Sequence, residues 1–389
     1  MSAPPAAPDP GVSPVGNELP LRVLRRLRVV PDDGLGTVRR AVFLALVTWL
    51  PIAAWAAVSG QVKGDAESIF QHYGVHVRCL LAIPLLVLAE KGFDTAIRGI
   101  AAMLVASGVV ASEQRGAFDA VNARLAAWRD ASLPWALVLG AALALTLADR
   151  PTVDDDAMAW AAASDGTMGF GGLWFACVVR PVFLALVFGW LWRMLLVAYW
   201  MRGIGRIGLS LVPTHPDRAG GLGFIEKLPG AYAMVTFALS AVIASRWAHE
   251  VLHHEVALRA FIQPAAVFAV LWTLLALLPA LLLLPAMAGA RGRAIPAYAN
   301  LVGAQGRLVH ARWILGKPVG DDALLEAAGI GPVADAATLY DSVTKMKQVP
   351  IGKGSVMRVL VPMLLPMLVV AALQIPLKEL LIKVAKALA

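Results

Sequence analysis

The run His249-Glu250-Val251-Leu252-His253 carries the sharpest chemical pattern in the chain. Two histidines four residues apart share one face of a helix, where they can bind zinc while Glu250 serves as general base. A second pair at the same spacing, His72 and His76, is expected on the same side of the membrane and could supply a third ligand, as could Asp154, Asp155 and Asp156. Both pairs also fall where apolar runs end, so solvated interfacial residues or a structural metal are competing readings. The primary expectation is a chain with no cofactor; zinc at His249 and His253 is the alternative.

A second candidate is the polar stretch Leu211–Phe224, which joins two long apolar runs. His215 precedes Pro216 and is biased to extended backbone. Asp217 can accept backbone N–H groups one or two residues on, as in an Asx-turn. Gly220, Gly221 and Gly223 permit positive φ, so successive N–H groups could line an anion-binding concavity. Arg218 and Lys227 would add positive charge. The competing reading is a tight turn that Asp217 holds shut. Just upstream, Gly203, Gly205 and Gly208 match G-x-G-x-x-G, but they follow a membrane helix and not a strand. The dinucleotide reading therefore fails its own context.

Third, Arg180, Arg193 and Glu90 fall inside or at the ends of apolar runs, where charge is costly and points to function by default. Arg180 is expected to meet Asp149, and Arg193 to approach Glu90. The set could line a path for an anion or proton, or be paired for structure, or snorkel to the interface. Cys79 and Cys177 lie toward the outer ends of spans, as free thiols or as a disulfide in an oxidising compartment.

What must position these residues follows from composition. The 389 residues are 59% hydrophobic and 15% charged, with a mean hydropathy of +0.70. A soluble chain would be about a quarter charged, and the apolar blocks approach or exceed the roughly 20 residues that cross a bilayer. The expected fold is all-α: a polytopic transmembrane helical bundle of about seven spans with amphipathic cytosolic helices. A disordered basic tail is expected over 1–38 and the bundle over 39–288, with spans at 41–58, 77–91, 133–148, 172–200, 228–244 and 261–288. A cytosolic helical segment follows over 289–358, then over 359–389 a last span and an amphipathic C-terminal helix. Some 40 residues precede the first apolar run, too many for a cleavable signal peptide.

The net charge of +8 does not call for nucleic acid, because the basic residues flank the apolar blocks. With the N-terminus in the cytoplasm, the outer loops keep only Lys63, Arg78, Arg150, Arg246 and Arg259 among 34 Lys and Arg residues, as the positive-inside bias requires. The expected partner is the lipid bilayer, and a homo-oligomer is compatible with it. Whether the last span crosses or re-enters is left open by the sequence.

Val212-Pro213-Thr214-His215-Pro216-Asp217-Arg218-Ala219-Gly220-Gly221-Leu222-Gly223 resembles the loop of a family of uncharacterised bacterial inner-membrane proteins. Gly329–Pro350, with Ala334-Asp335 and Met346-Lys347-Gln348-Val349-Pro350, resembles that family's last cytosolic segment, and Ile375–Leu381 its C-terminus. The resemblance implies a multi-span bacterial inner-membrane protein and carries over no catalytic residue. Three functions are consistent with these features: passage of a solute or ion or membrane signalling, a zinc-dependent membrane hydrolase, or an anchor for a cytosolic partner.

Overall fold

The computed structural model describes residues 12–16, 18–26, 28, 30, 34–60, 69–148, 156–163, 167–318 and 331–374. Those residues are overwhelmingly helical, and their only β pairing is an isolated bridge between Ala162 and Met168. In chain order the helices are α1 (Leu19–Arg26), α2 (Thr37–Val58), α3 (Tyr73–Ala106), α4 (Arg115–Asp130), α5 (Ser132–Ala148), α6 (Phe170–Ile204), α7 (Gly223–His253), α8 (Arg259–Leu281), α9 (Leu284–Val309), α10 (Gly331–Thr344) and α11 (Lys353–Ala372). Six of them, α2, α3, α6, α7, α8 and α11, are long and apolar enough to cross a membrane. The stretch Ser112–Asp130 and α5, bent by 43° at Ala131, bring the number to seven when taken together. The chain is a multi-pass membrane protein.

The helices run further than the apolar runs. The expected span 77–91 is part of a 34-residue helix, Tyr73–Ala106, about 51 Å long at 1.5 Å per residue. Glu90 and Lys91 look like an interface in the sequence, yet the helix continues through them. Beyond Glu90, Phe93, Ile97, Ile100, Ala101 and Leu104 recur at helical spacing and are buried. The span read as 172–200 is Phe170–Ile204, and that read as 228–244 is Gly223–His253, so His249 and His253 lie on a helix rather than in a loop. The run 261–288 is two helices, broken at Leu282 and Leu283. Asp321 to Ala328 and the C-terminal helix from Leu377 lie outside the described residues.

Prolines shape the two longest spans. Pro84 and Pro181 lack the N–H that would close an α-turn, and immediately before each the helix widens to π geometry, over Val77–Ala82 and Phe175–Val179. Cys79 and Cys177 sit in these wide turns, both as free thiols, Cys79 buried and Cys177 exposed.

Helix α11 lies along α7, with Ser240 Oγ donating to the Met363 carbonyl at 2.5 Å. Ser355 reaches the Glu226 carbonyl at one end, and Gln374 bonds the backbone of Val256 and Leu258 at the other. The last span therefore runs the full length of its neighbour and does not turn back. The end that carries Asp217 and Arg218 is called here the basic end, and the opposite one, with His249 and His253, the histidine end.

Residues 12–16 and 18–26 differ from the expected disordered tail. Val12, Val15 and Leu21 are buried in the main core beside Phe93, Ile97, Trp190 and Met194. Ser13 holds Asp94 through its hydroxyl at 2.5 Å, while its carbonyl accepts Arg129 Nη1 at 2.7 Å. Apolar residues in this Pro-rich stretch are too few to build a core but enough to join one.

Candidate functional site

The N-terminal segment delivers Glu18, and this explains how arginine is accommodated within α6. Arg193 donates to both carboxylate oxygens of Glu18, at 3.0 and 2.6 Å. It also contacts Glu90 at 3.0 Å. Arg40, in the first turn of α2, donates to Glu90 at 2.5 and 3.3 Å. Two acids and two bases thus form a neutral, buried chain of ion pairs, Glu18 to Arg193 to Glu90 to Arg40, no side chain of which is more than 4% exposed. The rings of Trp190 and Trp135 flank the Arg193 guanidinium at 5.3 and 5.6 Å, within the range of a cation–π contact. Two buried donors at this cluster, Arg40 Nε and Trp135 Nε1, have no acceptor among the described residues.

The approach of Arg193 to Glu90 is the pairing expected from the sequence; Glu18 and Arg40 were missed. The available signal was that Glu18 is the lone acid between Asp9 and Asp32, in a segment of otherwise basic residues. Asp149, the expected partner of Arg180, lies outside the described residues. Arg180 and Arg246 come close enough to Arg78 for their charges to interact. The Arg78 guanidinium lies 5.2 Å from the Phe175 ring and 5.3 Å from Phe183. The bundle therefore carries arginine at two levels: Arg78, Arg180 and Arg246 toward the histidine end, Arg40 and Arg193 toward the basic end.

In the loop 211–224 the N–H groups converge as the glycines allow, with Gly220 and Gly221 at φ of 68° and 97°. Their anion is already present. Asp217 Oδ1 accepts Ala219 N–H at 2.7 Å and Gly221 N–H at 3.2 Å, and Oδ2 accepts Gly223 N–H at 2.8 Å. The anion site expected at Gly220, Gly221 and Gly223 is therefore filled from within, because a carboxylate tethered six residues or fewer away outcompetes a free one. His215 Nδ1 stands 2.8 Å from Asp217 Oδ1. Burial pushes the Asp217 pKa up, but the three N–H donors and His215 together outweigh it and hold the group below the usual carboxylate range.

The loop is latched by a distant segment. Arg218 adopts φ of 54°, and its carbonyl accepts Lys347 N–H at 2.7 Å. Lys347 Nζ reaches Glu226 at 2.6 Å. The positive φ of Gly220 is what calls for glycine there, with the flexible end of Met346 packed alongside it.

At the histidine end, His249 stacks on His72, with ring centroids 5.0 Å apart, and lies 4.6 Å from His253. The fold does bring the two histidine pairs together, but through His72. His76 Nδ1 accepts Trp49 Nε1–H at 3.0 Å, which leaves Nε2 to donate to the Ile69 carbonyl at 3.0 Å; both nitrogens are used. Stacked rings turn their faces to each other, whereas zinc requires nitrogens converging at about 2.0–2.1 Å on one point. Among the described residues no three His, Cys, Asp or Glu side chains are grouped to hold a metal ion; Asp154 and Asp155 lie outside them.

Compared with known proteins, the chain matches no family model, no curated protein and no solved structure.

Proposed function

We propose that this multi-pass membrane protein passes a small anionic solute or ion through its bundle, and that the N-terminal segment holds it shut. The observation that carries this reading is Glu18. A carboxylate brought in from outside the spans occupies a buried arginine inside them, the position a translocated anion would take. Two further buried donors beside it, Arg40 Nε and Trp135 Nε1, are open to an entering ligand among the described residues. The second arginine level, at Arg78 and Arg246, supplies attraction toward the opposite end. Buried charge in a membrane is expensive enough that a function is its first explanation.

The test is anion flux in proteoliposomes, with chloride and acetate as probes. Glu18→Ala is expected to raise flux above wild type, and Glu18→Ala combined with Arg193→Gln to abolish the gain. A folded Glu18→Ala protein with unchanged flux for both ions would end this reading. The same proposal places the chain in a bacterial inner membrane with its N-terminus cytoplasmic, supported by the scarcity of Lys and Arg at the histidine end. Reporter fusions to the N-terminus and to the 254–258 loop test that orientation.

A zinc-dependent hydrolase at His249 and His253 is the second reading, favoured by the contact between His72 and His249. Its test is metal analysis of purified protein beside a His249→Ala, His253→Ala variant; equal zinc in the two removes it.

A further inference from the structure

A cleft of about 570 Å³ opens between α4 and the end of α6, and its walls include Arg124, Arg202, Arg206, Tyr199, Val121 and Ile207. The three guanidinium groups come from two helices and the turn that follows, and none has a hydrogen bond or ion pair among the described residues. No carboxylate lines the cleft. The acid nearest along α4, Asp119, is engaged with Arg115 at 3.9 Å. Three like charges at one concavity repel one another. The floor is apolar, from Val121 and Ile207, with the Tyr199 ring exposed at its side.

We infer that this cleft binds a phosphoryl group carried on an apolar or aromatic moiety. Guanidinium forks match phosphate oxygens in two-pronged geometry, and Tyr199 with the apolar floor accepts the remainder of the ligand. The glycine run Gly203-Ile204-Gly205-Arg206-Ile207-Gly208 finds its role here, though not through a phosphate-binding backbone. The N–H groups of Gly205, Arg206 and Ile207 are spent on the carbonyls of Met201, Gly203 and Ile204. Gly203 instead lets Val121 close in, since a Cβ there would stand 2.8 Å from its methyl carbon. Close packing of α4 on α6 is what brings Arg124 opposite Arg202.

Arg202 lies nine residues beyond Arg193, about 13 Å along the helix, past the buried charge layer. Phosphate can reach it from a lipid headgroup or from a soluble compound. The inference is independent of the Glu18 gate.

The test uses the full chain in detergent micelles, with bound species counted by native mass spectrometry. The probes are phosphatidylglycerol against phosphatidylcholine, and inorganic pyrophosphate. One variant carries Arg124→Gln, Arg202→Gln and Arg206→Gln. A control loses the same charge at exposed arginines elsewhere, through Arg26→Gln, Arg39→Gln and Arg293→Gln. A third, Ala120→Phe, fills the cleft without changing its charge. Binding of at least one phosphate probe is expected to weaken by about tenfold for each cleft guanidinium removed, to fall with Ala120→Phe, and to persist in the control. Preference for phosphatidylglycerol over phosphatidylcholine with no pyrophosphate binding identifies a lipid source, and pyrophosphate binding without lipid preference a soluble one. Equal loss in the cleft and control variants, unaltered binding in the cleft variant, or binding of neither probe to wild type would overturn the inference.

Discussion

The two ends of the bundle gather residues of comparable chemical promise with opposite results. Toward the basic end, Glu18, Arg193, Glu90 and Arg40 come from four separate stretches and join in a neutral, buried chain of ion pairs. At the histidine end, His249 stacks on His72 and lies at a tilt to His253, at a partly solvated surface. Opposite charges removed from water have strong, directional reasons to find one geometry. Imidazoles near water have several equivalent arrangements, and a spacing that permits chelation does not enforce it. Complementarity and burial, more than residue type, separate a determined site from a proximity.

Breaking the ion-pair chain should give the largest effect. Glu90→Ala strands the buried Arg40 guanidinium and leaves Arg193 with Glu18 alone, and is expected to cost about 3–5 kcal/mol, seen as a large fall in thermal stability of the purified protein. Replacing Arg40 and Glu90 together by apolar residues should be much milder than Glu90→Ala alone, and an equal or larger loss would show that the pair, rather than the stranded charge, carries the stability.

Asp217→Ala comes next. It strands three N–H groups in a half-buried loop, at about 1–3 kcal/mol, and should raise amide hydrogen exchange at Gly221 and Gly223. The pH dependence has a definite sign. Because the folded pKa of Asp217 lies below the unfolded value of about 3.9, its contribution is complete above that value and fades as pH falls through the lower, folded one. Protection of Gly221 and Gly223 should therefore hold at pH 5 and fail only in stronger acid; loss of protection already above pH 5 would show that the Asp217 carboxylate is not what holds the loop.

Smaller still, Lys347→Ala removes a part-exposed ion pair with Glu226 and should cost about 0.2–1 kcal/mol, because the backbone bond from Lys347 to Arg218 survives. At the bottom, His253→Ala is expected to stay within about 0.5 kcal/mol of wild type. A drop of several kcal/mol there would raise the histidine end to the standing of the buried ion pairs.

The candidate sites were legible to different depths. His249 and His253, Arg193 and Glu90, and the turn at Asp217 stand out as residue types in an apolar sequence. What fills each site does not. The glycines of 220–223 announce converging N–H groups, but only the folded loop reveals that Asp217 already occupies them. The same holds between stretches. Two of the three runs that suggested a family likeness, 212–223 and 329–350, meet through Lys347 and Arg218, a contact without trace in either run.

Sequence by itself determined the helical character and the membrane class, because crossing a hydrocarbon layer demands long apolar runs with every backbone group paired inside the helix. It also determined where arginine sits in α6, since that follows from its place in the apolar run. Tertiary structure alone decided that α3 continues through Glu90, because a charge ends a membrane run only when nothing neutralises it. It alone decided that Val12, Val15 and Leu21 join the core, and that Arg193 takes its carboxylate from 175 positions away. Charge pairing acts through space and leaves no period in the chain, so a local pattern can locate a buried charge without naming its partner.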